Sequence, residues 1–237
     1  MINYAIKHGY LEKNPFDFVE MPKRKRKISL DDEEEFTNFY EREQLLQLLN
    51  AFKESSSTMV YTLFHLLAYS GMRKGEALAL TWSDIDFDKN EIRINKAISR
   101  GVDSKLYLKS TKNGVARTIS MDQESMNLLA VWKAEQEKKF DTKPPKKQLV
   151  FNNRYNDFIQ PIQTQKWLHQ ILKKYNLPKI TTHGLRHTHC SLLFEAGASI
   201  KEVQERLGHT DVKTTMDIYA HITKKQKQAL WKNSMHI

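Results

Sequence analysis

From Tyr40 onward the apolar positions fall into two successive stripes. Leu45, Leu46, Leu48, Leu49 and Phe52 recur at the three- and four-residue spacing of a helix face, and Val60, Leu63, Phe64, Leu67 and Ala68 repeat it. Gly71 is placed to cap the second helix. The period then shifts to two. Ile85 and Phe87, Ile92 and Ile94, Leu106 and Leu108, and Val115 with Arg117 and Ile119 alternate as strands of one small antiparallel sheet. Before the last of these, TKNG at 111–114 carries the Asn-Gly pair that favours a tight hairpin, with Lys112 at its tip. Helical patterns return over 122–139, 161–175, 184–196, 200–207, 212–219 and 224–234, with Pro144, Pro145 and Pro178 between them. The pattern predicts a mainly α domain with a small antiparallel β-sheet.

The first 20 residues read as the end of a helix, stopped by Gly9 and then by Asn14 and Pro15. Two opposite charge blocks follow, PKRKRK at 22–27 and DDEEE at 31–35, with no apolar period, so 21–35 reads as a charged linker. The 38 Lys and Arg exceed the 28 Asp and Glu by 10, which favours a polyanionic partner such as nucleic acid. A single cysteine, Cys190, can form neither an internal disulfide nor a multi-thiolate zinc site and reads as a small buried apolar residue in a reducing compartment. The longest apolar run, MVYTLFHLLAYSGM, is too short to cross a bilayer and reads as a core helix.

Three stretches carry candidate chemistry. Asp84, Asp86, Asp88 and Asn90 alternate like the start of a calcium loop, but Lys89 stands where a glycine is needed and Asn95 where a glutamate is, so a solvated strand face is the expectation. SIKEVQERLGHTDVKTTMDIY has the outline of a helix-turn-helix, although the second helix is short and ends on Tyr219 rather than on a basic face. THGLRHTHC, at 182–190, sets His183, His187 and His189 around Arg186. His183 and His187 at i, i+4 share a helix side and could serve a metal, yet Arg186 would repel a cation and offers a planar fork of donors suited to phosphate oxygens.

Taken in order, Arg73 in GMRKGEALAL, Lys112 in a strand hairpin, His183 and Arg186 in HGLRH, His209 in LGH and Tyr219 in DIYAH closely resemble the tyrosine recombinases, the phage integrase family. The resemblance covers about residues 36–237 and implies that family's catalytic domain, the fold of DNA breaking-rejoining enzymes. It implies that Tyr219 is the nucleophile forming a 3'-phosphotyrosyl link, that His183 takes the phenolic proton, that Lys112 protonates the departing 5'-oxygen and that His209 bonds the phosphoryl group. Arg73 and Arg186 suit the nonbridging oxygens of a pentavalent phosphate. Glu76, one turn after Arg73, is placed to orient it, His187 to buttress the site, and His189 to serve structure. The resemblance further implies that 1–20 is the tail of an otherwise missing core-binding domain, that duplex DNA is the substrate, and that neither metal nor cofactor takes part. It also implies self-association into a synaptic tetramer, with the segment 224–237 docking on a neighbouring subunit. Accessory DNA-bending proteins, a cytoplasmic place on bacterial DNA, no membrane, and a phage or other mobile element as the source complete the expectation. A type IB topoisomerase-like relaxation of DNA and a non-catalytic helix-turn-helix regulator are the alternatives.

Overall fold

The computed structural model describes residues 2–14, 38–101, 105–111, 116–139, 147–208, 215–220 and 222–223. The chain divides into two compact units, Met1–Phe36 and Thr37–Ile237. In the first, helix α1 (Ile2–Lys7) ends just before Gly9, whose φ of 73° needs a residue without a Cβ. The charged stretch 21–35, the Asn-Gly turn with Lys112, His209 and the segment 224–237 lie outside the described residues.

The second unit is built round α3 (Thr58–Ser70), which is buried on almost every side. A helix apolar all round belongs in the middle of a core, and α3 packs against α2 (Arg42–Ser55), α5 (Gln123–Lys139) and α7 (Gly184–Glu195). Leu45, Leu48, Leu49 and Phe52 of α2 face it, and Phe52 stacks on Phe64 at 4.0 Å between ring centroids. Leu46 departs from the expected stripe and is 45% exposed, because a step of one residue turns the side chain about 100° round the helix. Helix α6 (Pro161–Lys174) closes over α2, and α7 packs on α8 (Ile200–Leu207).

The fold is mainly α with a small amount of antiparallel β-structure, as expected, and the strands fall into two sheets. β1 (Ile85–Asp86), β2 (Glu91–Ile94) and β5 (Arg117–Ser120) form one antiparallel sheet in the order β1-β2-β5, while β3 (Lys96–Arg100) pairs with β4 (Leu106–Ser110) in a second. Only Asn95 separates β2 from β3, so one bent ribbon serves both sheets. The strands flanking TKNG therefore do not pair with each other as a hairpin would: β4 takes β3, and β5 takes β2. The hairpin turn lies instead after β3, where Gly101 N donates to Lys105 O at 2.9 Å.

Asp84 overturns the solvated reading of the acidic alternation. It is buried, accepts from Thr81 N at 2.8 Å and Thr81 Oγ1 at 2.7 Å, and is paired with Lys96 Nζ. Asp86 instead accepts from the backbone N–H groups of Asp88 at 3.1 Å and Lys89 at 3.0 Å, a turn-building role. A smaller apolar cluster, made of Cys190, Phe194, Val203, Leu207, Ile218 and Ile222, fixes the helical residues 215–220 against α7 and α8.

Candidate active site

Helix α3 stops at Gly71 with φ 64°, which frees Arg73 to take the N-cap position of the short helix α4 (Lys74–Ala77). Glu76 then folds back one turn: its Oε2 accepts from Arg73 N at 3.0 Å and its Oε1 from Arg73 Nη1 at 2.9 Å. From the far side Arg117 of β5 reaches the same carboxylate, Nη2 to Oε2 at 2.7 Å and Nη1 to Oε1 at 3.3 Å. Glu76 is 2% exposed, and burial alone would raise its pKa; hydrogen bonds and charge from Arg117, with hydrogen bonds from Arg73, outweigh that and hold it below the usual carboxylate value.

Helix α7 supplies the second half. Arg186 is 1% exposed and spans two elements, Nη1 donating to Gly71 O at 2.6 Å and Nη2 to Leu207 O at 2.7 Å. Arg73 Nη2 donates to the next carbonyl, Gly208 O, at 3.3 Å. The two guanidiniums are thus brought to adjacent positions on the end of α8. Burial, followed by the charge of Arg73, lowers the pKa of Arg186 to about 9, with Glu76 opposing, so it stays charged at neutral pH.

His183 sits at the N-cap of α7, where burial and then the charges of His187, Arg186, Arg73 and Lys74 depress its pKa to about 4. The same charges that would draw in a phosphate keep this imidazole neutral and able to accept a proton. The His187 ring stands edge-on to it at 4.8 Å. Burial lowers the pKa of His187 too, against a bond to the Asn38 backbone, and its Nε2 is buried with no hydrogen-bond partner among the described residues. His189 turns away into the core, accepting from Arg206 Nε at 3.0 Å; burial, Arg206 and Arg186 take its pKa to about 3. Cys190 is fully buried, which pushes its thiol up to about 12. Among the described residues no group of three or more His, Cys, Asp and Glu could hold a metal ion.

The structure brings Arg73, Glu76, His183, Arg186 and His187 into one region. Tyr219 is described on the helical stretch 215–220, 40% exposed, its ring edge-on to Phe194 at 5.1 Å and its neighbour Ile218 buried beneath. Lys112 and His209 are the two expected members outside the described residues. Sequence reasoning passed over Arg117 and Arg206. For Arg117 a signal existed: it alternates with buried Ile119, so a strand places both on the same inward face, where a charge needs a partner. Arg206, which also donates to Ser120 O at 3.1 Å, gave none, because its partners are distant in sequence.

The family model described as the phage integrase family matches residues 38–226. The integrase of Staphylococcus phage L54a is 31% identical over 246 residues, covering 97% of this chain and 69% of that one. A XerC-like tyrosine recombinase of Caldanaerobacter subterraneus is also 31% identical over 246 residues, covering 95% and 60%. The chain therefore spans between three fifths and seven tenths of those two relatives. A Tn1549 transposon integrase, solved in complex with a circular intermediate DNA, superposes with a TM-score of 0.70 at 25% identity over 98% of this chain and 74% of that one. On the family match and these likenesses, the chain belongs to the phage integrase family of tyrosine recombinases.

Proposed function

We propose that the chain is a site-specific DNA recombinase that cuts and rejoins duplex DNA for integration or excision of a phage or other mobile element. Residues 36–237 serve as its catalytic domain, 21–35 as a linker and 1–20 as the tail of a core-binding domain. The observation that carries the reading is the convergence of Arg73 and Arg186 on the successive carbonyls of Gly208 and Leu207, beside a neutral His183. Such an arrangement suits a phosphodiester, whose pentavalent transition state spreads negative charge over nonbridging oxygens that two forked cations can meet.

In the reaction Tyr219 Oη bonds to phosphorus as its proton passes to His183, and the bond from phosphorus to the 5'-oxygen breaks. Lys112 protonates the departing oxygen and His209 hydrogen-bonds the phosphoryl group. The phosphotyrosyl bond conserves the energy of the bond cut, so a 5'-hydroxyl from another duplex reseals it by the reverse steps. Pairing of two duplexes calls for a synaptic tetramer, and accessory DNA-bending proteins fit the same scheme. The basic excess of 10 charges supports a DNA partner.

The test is covalent trapping on duplexes selected by binding from random sequence. The unaltered chain should form a protein–DNA adduct that survives denaturant, in EDTA as well as without it, while Tyr219→Phe binds DNA with unchanged affinity and forms none. An adduct that persists in Tyr219→Phe would move the nucleophile elsewhere, and loss in EDTA reversed by added zinc or magnesium would return the site to metal chemistry.

A further inference from the structure

The three carbonyls that end α8 are each taken by a different guanidinium. Arg117 Nε donates to Arg206 O at 3.1 Å, Arg186 Nη2 to Leu207 O at 2.7 Å and Arg73 Nη2 to Gly208 O at 3.3 Å. A helix C-terminus leaves its last carbonyls without intrahelical donors and carries partial negative charge, so cations settle there. Two of the three arginines belong to the candidate site. The third comes from β5, and nothing in the reaction above uses it.

Arg117 also holds Glu76 with both ends of its fork, at 2.7 and 3.3 Å, while Arg73 shares the same carboxylate. This sharing matters once DNA binds. An Arg73 that turns donors toward a phosphate gives up part of its hold on Glu76, and a buried carboxylate left without compensation is costly. Arg117 keeps that compensation in place, because its own fork stays on Glu76. Gly208 fits the arrangement: with φ 63° it lies flush under the guanidinium, and a Cβ there would come within 3.1 Å of Arg117 Nη1 and 3.2 Å of its Cδ.

We propose that Arg117 is a positioning residue for strand cleavage, holding Glu76 and through it Arg73 while it fixes the end of α8 that leads to residue 209. The assignment rests on the recombinase reading. Its mode of action is geometric: Arg117 touches Glu76 and the backbone of Arg206, and the phosphate is met by the arginines it aligns.

The experiment uses the full 237-residue chain and nicked duplexes selected by binding from a random-sequence library, with three readings: DNA affinity, thermal midpoint and the single-turnover rate of adduct formation. Arg117→Lys keeps a cation and loses the fork. It should hold affinity and midpoint near those of the parent yet slow the adduct by about 10- to 100-fold, the scale of a misplaced catalytic group. Glu76→Gln should slow it as well, and the double variant should be no slower than the slower single, since both changes break one linkage. Arg117→Ala serves as the deletion; if it fails to fold, Arg117→Lys and the double variant still decide. Parent-like rates in Arg117→Lys, or independent multiplication of the two effects in the double variant, would overturn the assignment. A parent chain that makes no adduct on any selected duplex would instead remove the recombinase reading, and this assignment with it.

Discussion

Arg186 reaches Gly71 O and Leu207 O from inside the protein, so its side chain is a structural tie as well as a candidate phosphate ligand. Truncating it strands two buried carbonyls, each worth about 1–3 kcal/mol when left unpaired. A slow Arg186→Ala variant would therefore mix folding with chemistry, and Arg186→Lys, which keeps a cation, is the cleaner comparison. The proton donor can be isolated in another way. A 5'-oxygen leaves as a costly alkoxide unless protonated, and such help is worth about 10²- to 10⁴-fold in rate. A 5'-bridging sulfur leaves as a thiolate and needs no proton, thiols being acidic near pKa ~8.5. Lys112→Ala should then cleave ordinary DNA slowly and recover on a 5'-phosphorothiolate duplex, whereas Arg186→Lys should recover far less. Equal recovery in both, or none in Lys112→Ala, would assign the proton to another group, His183 first. The chemical type of Arg186 was legible in the sequence through its setting among His183, His187 and His189. Its two carbonyl partners were not, since they come from elements far away along the chain.

At the scale of elements, the end of α3 has to stop in one place. Gly71 adopts φ 64°, and a Cβ there would lie 2.4 Å from Leu207 Cδ2 and 2.6 Å from His189 Cδ2, so α3, α7 and α8 meet over this one residue. Gly71→Ala should lose about 2–4 kcal/mol by denaturant unfolding, combining left-handed backbone strain with overpacking. Gly197 separates the two terms: its φ of 89° is equally unusual, but nothing lies within 4 Å of a Cβ built on it, so Gly197→Ala should cost only the backbone part, about 1 kcal/mol. Equal losses at the two positions would mean that the packing over Gly71 relaxes freely. Helices with local signals were readable. α8 runs over the expected 200–207 because Ser199 and Glu202 form a capping box and Gly208 ends it with φ 63°. The sheet was less readable: β3 has the sequence KAISR, with little alternation to mark it, and β4 pairs with β3 while β5 pairs with β2. Asp84 was misjudged for a related reason, since its partner Lys96 arrives only when that ribbon folds over.

At the scale of the whole molecule, four imidazoles among the described residues have lowered pKa values, inside a chain that already carries an excess of 10 positive charges. Burial is the first cause at each. His65 is depressed despite Glu124 and Asp122, His187 despite its bond to Asn38; His183, facing Arg186, Arg73 and Lys74, falls to about 4, and His189, facing Arg206 and Arg186, to about 3. An unfolded histidine titrates near 6.5, so below that value the unfolded chain binds more protons than the folded one. Stability is then fully present above about pH 6.5 and is lost as the pH falls toward 4 and 3. Glu76, held below its ordinary value, adds to the loss at the acid end, and each proton gained also raises the self-repulsion of a basic chain. Denaturant unfolding at pH 7.5 and 5.0 should differ by about 4 kcal/mol, about 2 kcal/mol from each of His183 and His189, whose folded values both lie below pH 5.0. Bound DNA should shrink the difference, because a phosphate beside His183 favours the protonated ring. Equal stability at the two pH values would show that the folded imidazoles titrate as unfolded ones do, and greater stability at pH 5.0 that they already carry protons in the folded chain. In that second case His183 would be unable to accept one from Tyr219, and the base would have to be sought outside these four imidazoles.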